Sequence, residues 1–94
     1  MTDQKSKDKG VILVLLERFN KQRLPRLLSM KEKVDAGEVL DEFDQQFIKQ
    51  VETDGGEIRT LLDRNPEYKE LVTEALELLT EIMEKDIENQ KREL

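Results

Sequence analysis

Ninety-four residues suffice for one domain, and the chain contains no cysteine, histidine or tryptophan. That excludes disulfide scaffolds, Cys/His zinc sites, thiol nucleophiles and every catalytic arrangement that needs an imidazole. The net charge is −6 with 40% of residues charged, yet Leu, Ile, Val and Phe supply about 30% of the chain, above the level at which high charge goes with disorder.

Residues 1–9 (MTDQKSKDK) are polar and charged and read as a mobile polar tail, leaving residues 10–92 as a single helical-bundle domain. The first helix is expected from about Gly10 to Ala36. Ile12, Leu16, Phe19, Arg23, Leu27, Met30 and Val34 recur at steps of 4, 3, 4, 4, 3 and 4, the helical period. Pro25 removes one backbone hydrogen bond and disfavours helix at Leu24. Because the stripe keeps its phase across Pro25, one kinked helix is preferred to two separate ones. Gly37 stands where a left-handed C-terminal cap belongs, with Lys31 and Lys33 in the last turn.

The second helix is expected to begin after an Asp41 N-cap, with Glu42 and Asp44 in its first turn and Phe43, Phe47 and Val51 as its stripe. Gly55-Gly56 resembles a stop, but Ile58 and Leu62 lie seven and eleven residues beyond Val51, close to whole helical turns. The helix is therefore expected to run on to about Arg64. Asn65 as N-cap and Pro66 at the first helical position then open the third helix, which continues to about Gln90. Its stripe is Tyr68, Leu71, Ala75, Leu78 and Ile82, widened by Val72, Leu79 and Met83. Three long helices with very short connections favour antiparallel neighbours. The expected fold is all-α: an elongated up-down-up three-helix bundle whose first helix is kinked near Pro25.

Three features bear on function. The run Val11, Ile12, Leu13, Val14, Leu15 and Leu16 covers the whole circumference of a helix, so part of it has no place inside a three-helix bundle. It is a candidate self-association surface, weighed against capping of the bundle core and against dipping into a membrane surface with Lys5, Lys7 and Lys9. Arg18, Lys21, Arg23 and Arg26 form a candidate basic patch. Residues 1–33 hold nine basic and four acidic side chains, a net +5, against −11 for the remainder. Nucleic acid is nonetheless an unfavoured partner, because an acidic chain repels a polyanion and no aromatic residue is interleaved to stack on bases. Glu67, Glu70, Glu74, Glu77, Glu81, Glu84 and Glu88 form an acidic stripe at steps of 3 and 4. It reads first as a solvated flank, and second as a face turned toward the basic first helix.

No P-loop, dinucleotide fingerprint or calcium loop is present, and no carboxylate pair stands out from the rest. A bundle di-metal centre needs Glu-x-x-His motifs that a chain without histidine lacks. No catalytic residue, metal site or cofactor is therefore assigned. The apolar run of six residues is too short for a signal-peptide core or a membrane span. The expected protein is a cytoplasmic, non-catalytic, protein–protein interaction or regulatory module that self-associates, a homodimer being the expected assembly. The alternative is a nucleic-acid-binding protein using the basic patch.

Overall fold

The computed structural model describes residues 4–93, and these are helical throughout except for the connection at 36–41 and Asn65. The first rod comprises α1 (Gln4–Arg18), a π-helical turn (Phe19–Arg23) and α2 (Leu24–Asp35). It is followed by α3 (Glu42–Arg64), a 3₁₀ turn (Pro66–Tyr68) and α4 (Lys69–Glu93). The three rods form the all-α, up-down-up bundle expected, measuring 60 × 20 × 17 Å.

The helix starts earlier than expected. The polar tail read over residues 1–9 is helix from Gln4 onward, and residues 1–3 lie outside the described ones. Asp8, expected in that tail, is 3% exposed. It lies four residues before Ile12 and so on the same face, where Arg64 and Asn65 meet it.

The interruption before Pro25 is the π turn, closed by the Leu24 N–H donating to the Phe19 carbonyl. In a regular helix the Pro25 ring would strike the carbonyl four residues back, and the wider π turn relieves that clash. Leu24 itself stays helical (φ −58°), contrary to the expectation, and the distortion falls on Arg23, whose φ is −109°. The rod ends in a Schellman motif. Gly37 (φ 94°) donates to Val34 and Glu38 donates to Lys33, at 3.0 and 3.2 Å.

Asp41 caps α3 reciprocally with Asp44: each side chain accepts the other's backbone N–H, at 2.8 and 3.2 Å. The helix continues through Gly55 and Gly56 to Arg64, as the phase of Ile58 and Leu62 required. Asn65 departs from expectation. Its side chain does not cap the next helix but donates to Asp8 Oδ2 and to the Leu61 carbonyl, both at 2.9 Å.

Two apolar cores result. One gathers Leu27, Met30 and Val34 of α2, Phe47, Ile48 and Val51 of α3, Leu79 and Ile82 of α4, and Leu40. The other is smaller: Ile12 of α1, Ile58 and Leu62 of α3, and Val72 of α4. The first rod thus changes partners along its length, α1 lying mainly on α3 and α2 mainly on α4. At the far end, Leu40 closes the larger core, its N–H held by Asp86 Oδ1 at 2.8 Å. With Leu40 in that place, Phe43, expected in the core stripe, is left 73% exposed.

Candidate functional site

Only Ile12 of the apolar run is wholly inside, at 0% exposure. Leu15 and Leu16 pack at the edge of the smaller core. Val11, Leu13 and Val14 remain 47%, 48% and 64% exposed. The cause is helix geometry: Val14, two residues beyond Ile12, points to the opposite side at 3.6 residues per turn. Core capping therefore accounts for half of the run, and the other half presents an uncovered apolar surface. A second such surface lies on α4, where Leu76, Met83 and Ile87 share a side and stay partly or largely exposed. Leu71, expected in the α4 core stripe, is exposed as well.

The basic patch is paired within the chain. Arg23 Nε lies 2.9 Å from Asp54 Oδ2, and its Nη1 donates to Gln50 at 3.2 Å. Arg18 lies 3.6 and 3.7 Å from Asp54 and Glu57, Arg26 lies 3.5 Å from Asp44, and Lys21 pairs with Glu17 at 2.6 Å. Arg26 and Arg23 also stand over the Phe47 ring, 4.5 and 5.6 Å from its centroid, which joins their charge to the core. The carboxylates that answer the patch are those of α3, with Glu17 on its own helix.

The acidic stripe, which runs from Glu67 in the 3₁₀ turn along α4, is not the counterpart of that patch. Glu67, Glu70, Glu74, Glu77, Glu81, Glu84 and Glu88 are all exposed, a solvated flank. Glu88 pairs with Lys85 on its own helix at 3.6 Å. Lys31 is held above the usual lysine range chiefly by its bond to Asp35, with only a weak contribution from Glu81 across the interface. Among the described residues, no group of three or more acidic side chains converges as a metal-ligand set.

Between the two cores lies a cavity of about 480 Å³. Leu15 and Ile58 bound it on the side of the smaller core, Phe19 and Leu79 on the side of the larger, and Gly55 and Ala75 are small residues in its α3 and α4 walls. Arg18, Asn20, Asp54 and Glu74 supply its polar rim. A sealed, empty void of this size would cost on the order of 10 kcal/mol at about 24 cal/mol per Å³, as much as a small domain's entire stability. It is not sealed: Leu71 and Leu76, both about half exposed, lie on its border. They are five residues apart and hence about 140° apart around α4.

Residues missed in the sequence carry the buried polar contacts. Arg64 grips Asp8 with two bonds of 2.8 and 3.0 Å, and Asp8 in turn raises the Arg64 pKa above the usual arginine range. Asn89 donates to the carbonyls of Val34 and Glu38, both at 2.8 Å, tying α4 to the end of α2. Its carbonyl oxygen accepts from Arg92. A signal existed, since Asp86 and Asn89 continue the spacing of the α4 core stripe beyond Ile82. The cavity has only the faintest sequence signal, the small residues Gly55 and Ala75 at wall positions. The chain matches no protein-family model, no curated protein and no solved structure.

Proposed function

We propose that this chain is a non-catalytic helical interaction module of the cytoplasm, adaptor-like or regulatory, that associates with a second copy of itself through α1. The observation that supports this reading is the outward exposure of Val11, Leu13 and Val14 on a helix already seated in the core by Ile12. Contiguous apolar surface of this kind is a recurring mark of protein interfaces. Internal pairing of Arg23 and Arg26 favours it over a nucleic-acid role, since phosphate would have to displace Asp54 and Asp44.

Sedimentation equilibrium tests it. The chain is expected to behave as a dimer at micromolar concentration, and Leu13→Glu to yield a folded monomer with little loss of monomer stability. A strict monomer at high micromolar concentration, with Leu13→Glu changing neither mass nor melting temperature, would end the proposal.

A further inference from the structure

We propose that the space between the two cores is a binding site for a free long-chain carboxylate, its alkyl chain lying beneath α4 and its carboxylate meeting Arg18. The dimensions suit a ligand. About 480 Å³ falls within the range of small-molecule sites, and such sites are mostly apolar with a few placed polar groups. A water molecule needs two to four polar partners, and polar groups occur here only at the rim. Its lining is mostly aliphatic, with Leu15, Leu16, Ile58, Leu78 and Leu79 among it, a surface that suits an alkyl chain.

The head group follows from the rim charges. Arg18 reaches Asp54 and Glu57 only at 3.6 and 3.7 Å, beyond good hydrogen-bond distance, whereas Asp54 is already bound by Arg23 at 2.9 Å. The Arg18 guanidinium thus keeps donors for a planar carboxylate, the group its fork geometry matches.

Dodecanoate below its micelle concentration is the probe, followed by titration calorimetry and thermal unfolding of the full chain. Saturable binding of one dodecanoate per chain and a raised melting temperature are expected. A Cβ added at Gly55 meets nothing within 4 Å, so Gly55→Leu fills the space from α3 and Ala75→Leu fills it from α4. Both variants are expected to stay folded and to weaken dodecanoate by about tenfold or more. Loss of one charged hydrogen-bonding group corresponds to about tenfold, so Arg18→Gln should weaken dodecanoate by that factor and leave dodecanol unchanged. Leu13→Glu, outside the cavity wall, is expected to keep dodecanoate binding, which separates this site from self-association.

Absence of saturable binding, or equal binding by the Gly55→Leu and Ala75→Leu variants, would overturn the proposal. So would dodecanol binding as tightly as dodecanoate, or an equal shift with phosphatidylcholine vesicles, which would place the contact at a bilayer. If Gly55→Leu instead abolished dimer formation in a chain that ignores dodecanoate, the occupant would be the second copy and the proposal would fall.

Discussion

Asp44 accepts hydrogen bonds from the Asp41 backbone and from Lys33, lies 3.5 Å from Arg26, and is 8% exposed. Burial works to raise its pKa, but the Lys33 bond, the Asp41 N–H and the two cationic neighbours overcome this and hold it below the usual aspartate value. A depressed carboxyl contributes stability that is fully present above its unfolded pKa and lost as pH falls through the folded one. The melting temperature should therefore fall as the pH drops below about 4, the unfolded aspartate value. Asp44→Asn should lower it at neutral pH and flatten the acid decline, because the substituted residue no longer titrates. Calorimetric scans over that pH range check this, and parallel curves for the two proteins would show that Asp44 contributes nothing to acid sensitivity. At this scale the sequence was partly legible. Gly37 and Asp41 declared themselves because a cap depends on residues within one turn. Asp8 did not, since its partners Arg64 and Asn65 are more than fifty positions away and adjoin it only after the bundle forms.

The boundaries around α3 followed local chemistry closely, whereas the first rod begins at Gln4, ahead of the expected Gly10. The Asp41–Asp44 capping box opens α3, the glycine pair leaves it intact, and the Gly37 Schellman motif ends the first rod. Replacing an N-cap aspartate with alanine typically costs about 1 kcal/mol, within a range of 0.5–2. Asp41→Ala should accordingly destabilise the chain by about that much in urea denaturation at unchanged m-value; no change in midpoint would mean that Lys33 and Arg26 hold Asp44 without help from the cap. The π turn is the element that periodicity does not disclose. Leu24 stays helical beside Pro25 and the adjustment falls one residue earlier, at Arg23, whose side chain is anchored on α3 by Asp54 and Gln50. The amphipathic stripes of α3 and α4 were readable in direction but not in extent. Phe43 lies outside the core while Leu40 lies in it, and Leu71 borders the open space instead of filling it.

For the whole molecule, charge links the basic first rod to α3 and leaves the α4 glutamates in solvent. Each exposed pair contributes only about 0–1 kcal/mol, so the effect is measurable when several are reversed together. Changing Arg18, Arg23 and Arg26 to Glu should lower the melting temperature on the order of 10 °C at low salt, combining about 2 kcal/mol with the sensitivity of a domain this size. The deficit should shrink at high salt as screening takes hold. An unchanged melting temperature at low salt would show the α3 pairs to be energetically idle. What the sequence by itself determined is the all-α class, the number and order of the rods and most of their ends, because these depend on a 3.6-residue period and on contacts within a single turn. Only the tertiary structure decided which acids answer the basic patch, which apolar residues stay outside, and that a cavity divides the core in two. Those outcomes depend on how far each helix rotates and how closely it approaches its neighbours, and that is set by long-range packing to which a periodic pattern is indifferent.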